Sequence, residues 1–114
     1  MDCIFCAIIA GTIPSAKLYE DEKMLVFRDN APQAVFHALA VPKAHIASAA
    51  DIASAEGGAE IVGHIFTVIS QKYAEWGLQG GFRVITNSGS NAAQSVGHLH
   101  FHILGGQPLP ANLA

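Results

Sequence analysis

Apolar residues recur at helical spacing between positions 56 and 77. Val62, Ile65, Phe66, Ile69, Tyr73 and Trp76 follow one another at intervals of three, one, three, four and three. Ile61 and Val68 widen this stripe, which predicts a long helix buried on more than one side and stopped by Gly77. A shorter apolar run over residues 3–10, closed by Gly11, predicts a brief N-terminal helix. Residues 17–20 and 23–28 flank Asp21-Glu22 and predict a hairpin. Residues 34–41 form a third strand candidate, ended by Pro42 because proline cannot continue a ladder. Residues 82–86 and 99–104 predict two more strands, separated by a loop rich in Ser, Gly, Asn and Ala. Five short strands with one long helix between the third and fourth predict an α+β domain built on an antiparallel sheet.

The 114 residues suit a single domain over residues 1–114, with no repeat, low-complexity tract or linker. Apolar residues make up 51% and charged residues 13%, with a mean hydropathy of +0.34, which excludes intrinsic disorder. So apolar a small chain implies a subunit interface that absorbs the excess. No apolar run approaches the ~20 residues that span a bilayer. The start Met1-Asp2-Cys3 lacks basic residues ahead of an apolar stretch, so no secretory signal and a cytoplasmic location are expected. Six basic against nine acidic side chains give a net charge of −3, which argues against broad phosphate-backbone attraction to DNA or RNA. A small phosphorylated ligand held by a few dipoles remains open.

The chemistry concentrates in Gly97-His98-Leu99-His100-Phe101-His102-Ile103-Leu104-Gly105-Gly106. In a strand, successive side chains point to opposite faces, so His98, His100 and His102 share one face while Leu99, Phe101 and Ile103 meet the core. A lone strand histidine is ordinarily structural. Three in strict alternation in so uncharged a chain are not explained by packing. They suit either metal ligation, as in three-histidine zinc sites, or acid/base and nucleophilic chemistry. The preceding loop, Asn87-Ser88-Gly89-Ser90-Asn91 with Gln94-Ser95, offers N–H groups and hydroxyls that suit an anion better than a cation. Dipoles beside an imidazole nucleophile fit phosphoryl or nucleotidyl transfer.

The stretch His98-Leu99-His100-Phe101-His102-Ile103-Leu104 resembles the signature of the histidine triad (HIT) superfamily. Asp2-Cys3-Ile4-Phe5-Cys6, Ile13-Pro14, Pro32-Gln33-Ala34, Pro42-Lys43-Ala44-His45-Ile46, Asn87-Ser88-Gly89, Gln94-Ser95-Val96 and Leu104-Gly105-Gly106 are similar, in order, to its Hint-like branch. The resemblance implies a HIT-like fold of five antiparallel strands with one long and one short helix, paired as a homodimer. It implies an enzyme that cleaves purine nucleoside phosphoramidates or acyl nucleotides to the nucleoside monophosphate through a nucleotidyl-histidine. His100 would be the nucleophile, oriented by the main-chain carbonyl of His98. His102 and Asn87 would contact phosphate oxygens, Gln94 would lie near the bridging atom, and Ser95 would assist the departing amine. Asp29 would hold the ribose hydroxyls, and Ile4, Phe5, Ile8 and Phe27 would wall the purine. Without the resemblance, Asp29 reads as an Asx-turn residue, the four apolar residues as core, and Gln94 and Ser95 as loop support. Ala92-Ala93 stands where Hint-like loops commonly carry glycine, Gly97 replaces a bulkier residue, and Gln107 follows the double glycine where arginine is frequent. These departures bear on loop geometry and substrate preference.

Cys3 and Cys6 form a C-x₂-C pair. Only two residues precede Cys3, too few for the strand of a thioredoxin-like redox motif, and a disulfide does not suit a cytosolic chain. Two buried thiols remain one reading. The resemblance implies another, a structural zinc held by Cys3, Cys6, His45 and His98, with no organic cofactor. His37 and His64 read as strand and helix histidines without a catalytic role. Beside the enzyme stand two alternatives: a nucleotide-binding regulatory adaptor with incidental catalysis, and a metal-binding protein with no nucleotide role.

Overall fold

The computed structural model describes residues 3–112. Asp2, part of the N-terminal motif above, lies outside the described residues with Met1, Leu113 and Ala114. The elements are α1 (Ile4–Ile9), β1 (Lys17–Glu20), β2 (Met24–Arg28), β3 (Phe36–Pro42), α2 (Gly58–Lys72), β4 (Phe82–Ile85) and β5 (Phe101–Gly105). The strands form one sheet in the order β1-β2-β3-β5-β4, antiparallel throughout. The α+β architecture and the HIT-like arrangement of one long and one short helix are as expected.

Alternation along β2 and β3 divides the sheet's side chains between two apolar layers. Met24, Val26, Phe36, Ala38 and Ala40 pack on one face with Ile65, Val68 and Ile69 of α2, joined by Leu99, Phe101 and Ile103. Leu25, Phe27, Leu39 and Val41 pack on the other face with Phe5 and Ile8 of α1. A six-residue helix is too short to be stable alone, so the burial of Phe5 and Ile8 is what holds α1 in place.

Both glycines expected to stop the helices close a helical turn, Gly11 just after α1 and Gly77 beyond the end of α2. Gly11 and Gly77 adopt φ +83° and +78°. In each case the next N–H reaches back five residues, Thr12 to Ala7 O at 3.0 Å and Leu78 to Tyr73 O at 2.9 Å. Those bonds, with Gly11 N–H to Ile8 O and Gly77 N–H to Ala74 O, form a Schellman closure at both ends. Regular α-helix in α2 nonetheless ends at Lys72, and residues 73–77 are turns.

The end of β3 and the start of β5 differ from expectation for physical reasons. β3 includes Pro42, which pairs with Met24 of β2 but lies beyond the last β5 partner, so no ladder bond needs its missing N–H. β5 begins at Phe101 rather than Leu99, because the Leu99 N–H bonds to the Ile46 carbonyl at 2.6 Å instead of joining the ladder. α2 is not covered all round within the described chain. Phe66, Tyr73 and, on β4, Phe82 are 44%, 36% and 38% exposed. No helix among the described residues is long and apolar enough to cross a membrane.

Asp21 pins the β1–β2 turn to α2. Its Oδ2 accepts from Tyr19 Oη at 2.7 Å and lies 2.6 Å from His64 Nε2, while Oδ1 accepts from the Lys23 and Met24 N–H groups at 2.8 and 3.0 Å. Burial opposes ionisation, but the bonds from His64, Tyr19 and the two amides outweigh it and hold the carboxyl at about 2. A depressed folded pKa stabilises the fold fully above the unfolded carboxyl value of about 4 and loses that contribution as pH falls through about 2. Asp21→Asn is therefore expected to lower stability by about 1–2 kcal/mol at pH 7. In urea unfolding followed against pH, the difference from wild type should shrink between about pH 5 and pH 2.

Candidate active site and metal cluster

The three alternating histidines lie in the approach to β5 and its first turn of pleat, on the face that α1 covers. Each ring has a different anchor. The His98 ring is fully buried, and its Nε2–H donates to the Pro42 carbonyl at 2.8 Å. That bond leaves Nδ1 bare and aimed at the cysteines. Burial holds the ring below the usual imidazole range, opposed by the Pro42 carbonyl, so it stays neutral as a metal ligand must be.

Cys3 caps α1, accepting the Cys6 N–H on its Sγ at 3.3 Å, so the C-x₂-C spacing turns both thiols to one side of the helix start. His98 Nδ1 lies 3.3 Å from Cys3 Sγ and 3.6 Å from Cys6 Sγ, and His45 Nδ1 lies 3.3 Å from Cys6 Sγ. All four donor atoms lie within 4.8 Å of one another. Ligands around a four-coordinate zinc stand roughly 3.5 Å apart, given bonds of about 2.0–2.3 Å. Two soft sulfurs and two imidazole nitrogens at this spacing fit such an ion. The Pro42 carbonyl supplies the outer bond that fixes the ligating tautomer of His98.

His100 is oriented by the main chain of His98. Its Nδ1–H donates to the His98 carbonyl at 2.7 Å, which leaves Nε2 with a free lone pair. Phe5 packs edge-on against this ring at 5.0 Å, and the Thr86 hydroxyl donates to the His100 carbonyl at 2.9 Å. The His102 ring lies 5.0 Å from that of His100. Burial lowers its pKa, with His100 and His37 adding to the effect.

Phe5, which packs against the His100 ring, also lines a cavity of about 620 Å³, a volume that suits a nucleoside-sized ligand. Ile4, Phe5, Ile8, Phe27 and Leu39 line it, with Asp29 among its polar residues. Phe5, Ile8 and Phe27 are thus both core and cavity wall, and Ile4 is exposed. Asp29 also forms the Asx turn, its Oδ1 accepting from the Ala31 N–H at 2.8 Å, while Oδ2 faces His37 Nε2 at 3.4 Å.

The loop before the triad is braced largely by its own polar groups. Gln94 Oε1 accepts from the Gly89 N–H at 2.9 Å, and its Nε2 donates to the Ala47 and Val96 carbonyls at 2.8 and 2.9 Å. Of the two readings open for Gln94, loop support is the one these bonds fulfil. The Ser88 hydroxyl donates to Ser48 Oγ at 3.0 Å. Ala93 adopts φ +59°, ψ +40°, the left-handed conformation that glycine would take without strain. Asn87 is half-buried next to Thr86, and Ser95 is exposed.

His37 was passed over in the sequence and stands among these residues. It is buried on β3, its Nε2 2.9 Å from His102 Nδ1, and it accepts the Gln33 N–H on Nδ1 at 3.1 Å. Burial lowers its pKa, opposed by Asp29. The signal that would have found it is register: Leu39 pairs with His102, which places His37 diagonally across from that ring on the same face. His64, by contrast, meets Asp21, a structural partner in the β1–β2 turn.

Residues 2–110 match the family model described as "Scavenger mRNA decapping enzyme C-term binding". A 14 kDa zinc-binding protein from Zea mays is 42% identical over 106 residues, 93% of this chain and 83% of that one. Among solved structures, a histidine triad protein from Clostridium difficile superposes with a TM-score of 0.92 at 50% identity, covering 99% of this chain and 97% of that one. A HIT family hydrolase from Clostridium thermocellum does so with a TM-score of 0.90 at 39% identity, covering 98% and 97%. With the alternating histidines, the sheet and the whole-length match in agreement, the chain belongs to the histidine triad superfamily.

Proposed function

We propose that the protein is a nucleotide hydrolase or transferase that cleaves purine nucleoside phosphoramidates or acyl nucleotides to the nucleoside monophosphate. The observation that carries this reading is the His100 Nδ1–H bond to the His98 carbonyl, which assigns Nε2 as the attacking nitrogen, in a ring packed against Phe5 of the nucleoside-sized cavity. That nitrogen attacks the α-phosphorus. A phosphorus–nitrogen bond to His100 forms as the bond to the amine or acyl oxygen breaks; Ser95 assists the protonation of a departing amine, and an acyl group departs as its carboxylate. Water then attacks the same phosphorus, releasing the monophosphate and restoring the imidazole. His102 and Asn87 bind the phosphate oxygens, Asp29 the ribose hydroxyls, and Ile4, Phe5, Ile8 and Phe27 the purine. Gln94 serves by shaping the loop.

His100→Ala is expected to reduce turnover of an adenosine phosphoramidate by at least ~10³-fold, a loss of about 4 kcal/mol in transition-state stabilisation. AMP affinity should change far less, and His102→Ala should be milder because the attacking atom remains. Acid quenching of wild type with labelled substrate should trap an adduct stable to base and labile to acid. An active His100→Ala protein overturns the covalent route, and nucleotide binding without turnover supports the adaptor instead.

Cys3, Cys6, His45 and His98 are assigned to a structural zinc, which would brace the start of α1 against the triad segment without reacting. Two reduced thiols suit a cytoplasmic setting. Protein purified without chelator should contain about one zinc per chain, and Cys6→Ser should lower both occupancy and melting temperature. A folded protein free of zinc under those conditions removes the assignment.

The exposed Phe66, Tyr73 and Phe82 support a homodimer, since Tyr73 and Phe82 pack together at 5.4 Å as one apolar patch. Light scattering at micromolar concentration should give twice the 12.0 kDa chain mass, and a monomer refutes it.

A further inference from the structure

Two neighbouring imidazoles in this site are given opposite parts, and residue type alone does not distinguish them. The nucleophile needs a bare nitrogen, whereas a group that stabilises a phosphoryl oxygen needs an N–H. For His100 the main chain settles the matter. Among the described residues, the atom that faces His102 Nδ1 is the Nε2 of another histidine, at 2.9 Å.

We infer that His37 is a positioning residue that fixes the tautomer of His102, making it a hydrogen-bond donor through Nε2. The assignment starts from the Gln33 main-chain N–H, which points at His37 Nδ1 from 3.1 Å. A main-chain amide can only donate, so His37 Nδ1 carries no proton, and the neutral ring holds its hydrogen on Nε2. That Nε2–H has two acceptors in view, His102 Nδ1 at 2.9 Å and Asp29 Oδ2 at 3.4 Å. The nearer one takes the bond, since 3.4 Å is long for a hydrogen bond of this kind. His102 Nδ1 is then an acceptor, and its own proton resides on Nε2. The other tautomer of His102 would set two N–H groups against each other at 2.9 Å. A charged His37 would set Nδ1–H against the Gln33 N–H, and burial disfavours that form independently.

The same bond excludes a cation at this place. Asp29, His37 and His102 bring donor atoms within 4.8 Å of one another, as a metal site would. A His37 whose Nδ1 accepts from Gln33 has its proton on Nε2, the nitrogen that faces the cluster, and so has no lone pair to offer there. Asp29 instead steadies His37 electrostatically while its other oxygen is tied to Ala31. The result is a relay from the Gln33 amide through His37 to His102. It leaves His102 as the donor and His100 as the nucleophile with their rings 5.0 Å apart.

The role given to His102 rests on the proposed phosphoryl chemistry; the tautomer assignment does not. The test therefore has two readouts. In nitrogen-15 NMR of the histidine rings, wild type should show His102 protonated at Nε2 and His100 at Nδ1. In His37→Phe, His102 should become a mixture of tautomers while His100 is unchanged. For the same variant, kcat for an adenosine phosphoramidate should fall about 10–10²-fold with little change in KM. His37→Gln should restore most of both, because its amide can accept from Gln33 and donate to His102. A wild-type His102 protonated at Nδ1, or a His37→Phe protein with unaltered His102 tautomer and kcat, overturns the inference. If His37→Phe fails to fold, the wild-type spectrum and His37→Gln still decide it. If the tautomers are as assigned but no phosphoramidate is turned over, the functional reading fails and the positioning role of His37 stands.

Discussion

The bond from His100 Nδ1–H to the His98 carbonyl is the interaction on which the site depends. It is local, spanning two residues, but the carbonyl is useful only if His98 itself cannot move. Three constraints prevent that movement. The His98 ring is tied to the Pro42 carbonyl, its Nδ1 sits among two thiols and the His45 ring, and the following N–H is tied to Ile46. Every one of these partners lies outside β5. Sheet pairing begins only at Phe101, so the segment carrying the first two histidines is held by side chains and by the loop after β3 rather than by the ladder. That arrangement aims ring nitrogens in ways that a regular strand, with its carbonyls committed to neighbours, does not permit.

Three of the site's imidazoles are biased toward their neutral form. Burial keeps His37, His98 and His102 below the ordinary imidazole range, so the nitrogen pairs and N–H groups are set by hydrogen-bond partners rather than by charge. A net charge of −3 does not exclude an anionic ligand, because local dipoles can hold an anion without a positive field.

Much of this is legible in the sequence. The alternation at 98–103 divides as expected, with Leu99, Phe101 and Ile103 in one apolar layer. The cysteine pair, His45 and His98 do meet, and Gly11 and Gly77 do end helical turns. What stayed hidden has a common cause. Because both faces of the sheet are covered, β2 and β3 read as nearly continuous apolar runs, and the face that His37 occupies cannot be told from its neighbours. Strand register, a long-range property, was needed to set it against His102. Gln94 shows the converse limit: its residue type suits either ligand or loop, and its three loop partners become visible only in the fold.

Ala93 carries a constraint on how this chain can vary. Its left-handed backbone costs an L-residue roughly 1 kcal/mol, and the turn is closed around it by its own N–H to Ser90 O and by the Gln94 N–H to Gly89 O. Alanine has the smallest side chain that can suffer the penalty, and β-branched residues suffer it most. Sequence drift at this position is therefore confined to glycine, alanine and the short polar residues that visit this conformation. A mutation to valine or isoleucine would register first as a displaced loop beside the histidines, well before it registered as an unfolded protein.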